Sequence, residues 1–168
     1  GSTGTPKLIP RTHDDYLYSV RASADICELN QQTKMLVVLP VAHNFSMSSA
    51  GSLGLFYAGG TLVLSQDPSA ACFALIKKHG ISHVALVPAL AASWAEAVQK
   101  GQENIFPRLA VLQVGGARLA DALARQLTEQ YQCRLQQVFG MAEGLVNYTR
   151  YDDDIEQIIS TQGSRISA

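Results

Sequence analysis

Short apolar runs alternate with longer amphipathic stretches along this chain. Met35–Leu39 (MLVVL), Thr61–Ser65 (TLVLS), Ile81–Val87 (ISHVALV), Ala110–Val114 (AVLQV) and Arg134–Val138 (RLQQV) are rich in Val, Ile and Leu. Runs of that length and character suit strands buried on both faces. Helical patterns lie between them. Ala117–Tyr131 sets Leu119, Leu123, Leu127 and Tyr131 four residues apart, one apolar stripe. Ser69 is a candidate N-cap after Pro68, and Lys77, Lys78 and His79 then load a last turn that Gly80 closes. Asp14–Leu29 and Ala89–Gln99 read as helices by composition, and in the second Trp94 lies on a core-facing stripe with Leu90 and Val98. Ser48–Ala58 is ambiguous, because Gly51 and Gly54 weaken a helix. The closing TQGSRISA offers no element of its own.

Strand–helix alternation with short connections predicts an α/β fold, a mostly parallel sheet with flanking helices. Ligands of such sheets bind beyond the carboxyl ends of the strands. Attention therefore falls on the segments that follow each run: PVAHNFSMSS, QDPS, PAL, GGARL and FGMAEG.

Composition narrows the classes. With 168 residues, 47% of them hydrophobic, the chain can bury a real core and is no disordered segment. A net charge of −1 argues against nucleic-acid binding through bulk charge. No apolar run approaches the roughly 20 residues of a bilayer span. Cys27, Cys72 and Cys133 are scattered and odd in number, which fits reduced thiols in the cytoplasm. His13, His79 and His83 share no metal-ligand spacing with a cysteine or carboxylate, and Asp152–Asp154 reads as a solvated charge run. The first residues open directly in a polar loop, so both ends are expected to be cuts within something longer.

Four segments carry candidate chemistry, and each also has an ordinary reading. GSTGTPK packs two glycines, three hydroxyl residues and Lys7 into seven positions, either a phosphate cradle or a solvated loop. Its spacing is not that of a Walker A loop. In AHNFSMSS, His43, Asn44, Ser48 and Ser49 could orient a small polar ligand against Phe45, or cap a helix. Gly115-Gly116 could let a flat group lie on the backbone, or make a tight turn. Phe139 could stack on a purine and Glu143 hold Mg²⁺, or the two could be core and solvated surface.

Taken together and in order, STGTPKL, AHNFSMSS, GGARL and FGMAEGLVNYTR resemble the adenylate-forming superfamily of acyl- and aryl-activating ligases. Within it the match is to the aryl-acid branch, the 2,3-dihydroxybenzoate–AMP ligases of catechol siderophore biosynthesis. The resemblance covers essentially the whole chain. It implies a partial AMP-binding (adenylation) domain over 1–168, a central subdomain of the large N-terminal domain. It implies ATP and Mg²⁺, with 2,3-dihydroxybenzoate as acid and the phosphopantetheine thiol of an aryl-carrier protein as acceptor.

The resemblance also assigns roles. Ser2, Thr3, Gly4, Thr5 and Lys7 belong to the phosphate loop, and Gly115, Gly116 and Ala117 line the adenine. Val138, Phe139, Gly140, Met141 and Ala142 lie at the nucleotide, and Glu143 is the implied Mg²⁺ ligand. His43, Glu143 and Lys7 are the implied catalytic set. The implied aryl pocket is His43, Asn44, Phe45 and Ser49 with Gly116, Ala117, Val138 and Val146. A hydroxyl at Ser49 and a modest side chain at Val146 favour dihydroxybenzoate over salicylate. Two departures stand out: Phe45 where many relatives have Tyr, and Ala142 where the broad superfamily has Thr, the latter shared with the aryl-acid branch. The family's ribose-binding aspartate and C-terminal lysine are expected beyond Ala168, so the segment alone is expected to be inactive. The alternatives are an aryl-CoA ligase for a benzoate-like acid, or a non-catalytic nucleotide-binding module.

Overall fold

The structure is a computed structural model that describes residues 7–101, 106 and 108–166. Its elements in chain order are α1 (His13–Ile26), β1 (Lys34–Val37), α2 (Asn44–Met47), α3 (Ser52–Tyr57), β2 (Thr61–Leu64) and α4 (Phe73–His79). They continue with β3 (His83–Leu86), α5 (Pro88–Gly101), β4 (Val111–Gly115), α6 (Asp121–Tyr131) and β5 (Arg134–Gly140). The last three are β6 (Val146–Tyr148), α7 (Ile155–Ser160) and β7 (Ser164–Arg165).

The strands form one seven-stranded sheet in the order β2-β1-β3-β4-β5-β6-β7. Every pair from β2 through β5 is parallel, as the alternation predicts. The β5–β6 and β6–β7 pairs are antiparallel. The tail is therefore not free of structure: Ser164 pairs with Tyr148 and Arg165 with Asn147. A two-residue strand has too short a period to be seen in sequence.

Two apolar layers sandwich the sheet. On one face Leu36, Val84, Leu112 and Leu135 pack with Ile76, Trp94, Leu127 and Tyr131 of the helices. On the other, Met35, Val37 and Val138 pack with Ala24 of α1 and Leu55 of α3. Alternation along β4 and β5 sends Gln113 and Gly115, with Gln136 and Val138, towards the α1 side. Trp94 is buried and donates its indole N–H to the Pro68 carbonyl at 2.7 Å, a polar tip satisfied inside an apolar site.

Several local expectations shift. Leu119, Leu123, Leu127 and Tyr131 all pack on one core, as their spacing predicts, but Leu119 precedes α6, and Ala124 joins the buried face. Ser69 caps a 3₁₀ turn over Ala70–Cys72, and α4 follows it, ending at Gly80 with φ 62°. Helix α1 stops at Ile26, and Glu28 just beyond adopts φ 50°. The aspartate run is more than solvated charge. Asp154 caps α7 in a reciprocal box with Gln157, and Asp153 accepts from the Arg150 amide at 2.7 Å. Among the described residues no helix is long and apolar enough to cross a membrane.

His83 enters β3 almost fully buried, its Nδ1 2.9 Å from the Ser82 hydroxyl. Burial lowers its pKa to about 4. The unfolded chain then takes up a proton that the folded chain refuses, from about pH 6.5 downwards. Stability should be full above pH 6.5 and about 2 kcal/mol lower by pH 4.5 from this group alone. Urea unfolding of the parent and of His83→Gln across that range checks this: the variant should lose that part of the slope. Equal slopes would contradict it.

Candidate active site

The carboxyl ends of β1, β4 and β5 meet at one rim, and a cavity of about 280 Å³ opens there. His43, Asn44 and Phe45 reach it from the segment after β1. Ser48, Ser49, Ala50 and Gly51 form the bend between α2 and α3. Gly116 comes from the end of β4, and Val138, Gly140, Ala142 and Val146 from β5, β6 and their turn. Gln113 and Tyr148 complete the lining. The volume lies at the bottom of the roughly 300–1,000 Å³ of drug-sized sites, and suits a ligand of one ring.

The directions of its polar groups follow from their partners. His43 is the N-cap of α2, and its Nδ1 accepts the Phe45 amide at 3.2 Å. A neutral ring that accepts at Nδ1 carries its proton at Nε2, so His43 offers a donor. The Ser48 hydroxyl donates towards Asn44, with its carbonyl at 2.8 Å and Oδ1 at 3.0 Å. The second contact turns the side-chain oxygen of Asn44 to Ser48 and leaves Nδ2 to donate. Ser49 has a left-handed backbone, φ 53°, which is rare for a residue with a side chain. Its buried hydroxyl lies 2.8 Å from that of Ser19 on α1. The Tyr148 hydroxyl accepts the Ala50 amide at 3.3 Å, and burial raises its pKa so that it stays a neutral phenol.

Close approach shapes one wall. A Cβ on Gly115 would lie 2.6 Å from the Val138 carbonyl oxygen and 3.1 Å from the Phe45 ring. Glycine there lets Phe45 lie against the end of the β4–β5 ladder.

The structure brings His43, Asn44, Phe45, Ser49, Gly116, Val138 and Val146 of the expected aryl pocket onto one cavity. Ala117 is exposed beyond it. Gly140 and Ala142, expected at the nucleotide, also line it. Phe139 is half-buried and leaves β5 on the face opposite to Val138, and Met141 and Glu143 are exposed in the β5–β6 turn. Glu143 faces a neighbouring recess with Asp15, Tyr18 and Arg165. Lys7 is exposed, and Ser2, Thr3, Gly4 and Thr5 lie outside the described residues.

Sequence reasoning missed Gln113, Tyr148 and Arg11. Gln113 and Tyr148 sit inside strands, where period-two patterns show burial but not which buried polar group meets a cavity. Arg11 holds the turn that carries Glu143. It ion-pairs with Asp15, lies 4.4 Å over the Tyr16 ring and donates to the Ala142 carbonyl at 3.3 Å.

Comparison with known proteins gives a consistent picture. Residues 1–167 match the model of the AMP-binding enzyme family. The chain is 58% identical over 165 residues to enterobactin synthase component E of Escherichia coli, covering 97% of this chain and 31% of that protein. It is 57% identical over 169 residues to the vibriobactin-specific 2,3-dihydroxybenzoate-AMP ligase of Vibrio cholerae, covering 100% of this chain and 31% of the relative. The apo structure of MbtA from Mycobacterium smegmatis superimposes with a TM-score of 0.91 at 49% identity, over 99% of this chain and 30% of that one. The chain thus spans about three tenths of the length of the relatives it matches.

Gly115→Ala should force apart the strand ends and the Phe45 ring. A loss of roughly 1–3 kcal/mol is expected, the usual cost of overpacking. Urea unfolding measures it, and an unchanged midpoint would refute the close contact.

Proposed function

This chain belongs to the AMP-binding enzyme family, and from that premise we propose that it forms the aryl-acid-binding part of a 2,3-dihydroxybenzoate–AMP ligase. The observation that carries this reading is the cavity itself. Loops from three parallel strand ends converge on a one-ring volume with apolar walls at Phe45, Val138 and Val146. The same cavity holds donors at His43 and Asn44, suited to a carboxylate, and polar groups at Gln113, Ser49 and Tyr148, suited to ring hydroxyls.

In the reaction, a carboxylate oxygen of the acid attacks the α-phosphorus of ATP, a P–O bond forms, and pyrophosphate leaves with the electrons of the broken bond. A thiol sulfur then attacks the carbonyl carbon of the mixed anhydride. A thioester forms, AMP departs and the thiol proton passes to solvent. We assign the thiol to phosphopantetheine on an aryl-carrier protein, serving siderophore assembly. The protein's contribution is positioning and charge stabilisation. His43 Nε2 and Asn44 Nδ2 would hold the carboxylate, and Phe45 and Val138 would form an apolar wall against the ring.

The residues present fit ATP and Mg²⁺. Gly116 has φ 81°, and Gly116 and Ala117 expose backbone at the strand end, where a flat base can lie close. Among the described residues no cluster of three or more His, Cys, Asp or Glu forms a metal cage. Glu143 is a single exposed carboxylate on a turn braced by Arg11. One carboxylate plus phosphate oxygens and water is the usual setting for Mg²⁺, which when bound would offset charge on the phosphates.

ATP–pyrophosphate exchange tests this in a protein of the relatives' full length that carries this segment. Exchange should require an aryl acid and be faster with 2,3-dihydroxybenzoate than with salicylate. Glu143→Gln should lower it roughly 100-fold or more. A holo aryl-carrier domain should accept the aryl group better than coenzyme A does. No aryl-acid-dependent exchange would overturn the reading.

A further inference from the structure

Behind the cavity, on the α1 side of the sheet, runs a set of buried side-chain hydrogen bonds that the reaction above does not use. Gln113 of β4 and Gln136 of β5 are register partners, so their side chains leave adjacent parallel strands on the same face. Gln136 is 0% exposed, and its Nε2 donates to the Thr149 carbonyl at 3.0 Å. Thr149 is itself fixed to β5. Its amide donates to the Gln137 carbonyl at 3.1 Å, and its hydroxyl accepts the Gln137 amide at 2.9 Å.

A backbone carbonyl can only accept, so it decides which end of the Gln136 amide faces it. Gln136 Oε1 is thereby turned to Gln113, whose Nε2 donates to it at 2.8 Å. Cys27, just past the end of α1, adds its S–H to the same oxygen at 3.3 Å and accepts from Gln113 Nε2 at 3.4 Å. Burial pushes the Cys27 thiol up to about 12, so it stays a donor. Gln113 lines the cavity, its Nε2 is spent on the protein side, and its Oε1 has no hydrogen bond to the described residues. Rotating that amide by half a turn would set two acceptors against each other, a cost in a buried site.

We propose that Gln136 is a positioning residue that holds the Gln113 amide with its oxygen towards the ligand, so that the cavity selects a ring substituent able to donate a hydrogen bond, a phenolic hydroxyl, over one of equal size that cannot. This rests on the cavity being the aryl-acid site. Buried acceptors left unpaired are what let such sites reject analogues that lack a donor.

The test uses exchange kinetics in a protein of the relatives' full length. The substrates are 2,3-dihydroxybenzoate and the two analogues in which one hydroxyl is replaced by fluorine, which is of similar size and cannot donate. The unmodified protein should prefer the dihydroxy acid over at least one analogue by roughly tenfold in kcat/KM. Gln136→Leu should erase most of that ratio through KM for the acid, leaving KM for ATP unchanged. Gln136→Glu should restore it. A carboxyl buried there stays neutral, donates to Thr149 and accepts from Gln113.

Gln113→Leu should also erase the ratio, and adding Gln136→Leu to it should change the ratio no further. This second arm decides the matter if Gln136→Leu alone melts without cooperativity. A ratio kept in Gln136→Leu or Gln113→Leu would overturn the proposal, as would a Gln136→Leu that raises both KM values alike. If the unmodified protein shows no aryl-acid-dependent exchange, the reading of the cavity fails and not only the role of Gln136.

Discussion

Gly115 meets Val138 across the β4–β5 ladder, so closely that no side chain fits on the glycine. That contact sets how closely β5 packs on the end of β4 and how near Phe45 can come. The register also places Gln113 beside Gln136 two residues earlier. The wall, the aromatic flank and the buried amide pair are therefore consequences of one alignment. A slip of one residue would exchange the two faces of a strand and remove all three.

The cavity is polar in a directed way. His43 offers a donor because its other nitrogen is used by the Phe45 amide. Asn44 offers one because its Oδ1 is used by Ser48. Gln113 offers an acceptor because its nitrogen is used by Gln136. In each case a bond made on the protein side fixes what remains for a ligand. Groups oriented in advance cost little reorganisation when charge moves, which is the demand that acyl activation makes. The turn bearing Glu143 is prepared in the same manner by Arg11, which reaches it from the segment just before α1.

The sequence made the parallel layers legible because buried strands are continuous apolar runs, and β1, β3, β4 and β5 are such runs with boundaries shifted by a residue or two; β2, equally apolar, is instead the edge strand, with Thr61 and Leu64 exposed. It did not reveal β6 and β7, whose few residues carry no period and whose pairing comes from long-range contact. The stripe Leu119, Leu123, Leu127 and Tyr131 does face one core, but Leu119 belongs to the loop before α6, because spacing shows burial and not where the first helical turn begins. For the candidate site, the glycine pair and the AHNFSMSS segment were visible as unusual chemistry at strand ends. Gln113 was not, because a glutamine inside an apolar strand reads only as a tolerated polar residue until its neighbour on β5 is known.

The most direct measurement of the whole account is a crystal structure of a full-length protein carrying this segment, bound to a non-hydrolysable analogue of the 2,3-dihydroxybenzoyl adenylate. The catechol ring should lie against the wall formed by Phe45 and Val138, with one ring hydroxyl on Gln113 Oε1 and the adenine beside Gly116. A ring lodged in the recess by Asp15 and Glu143, or a Gln113 amide turned with its nitrogen to the ligand, would contradict it.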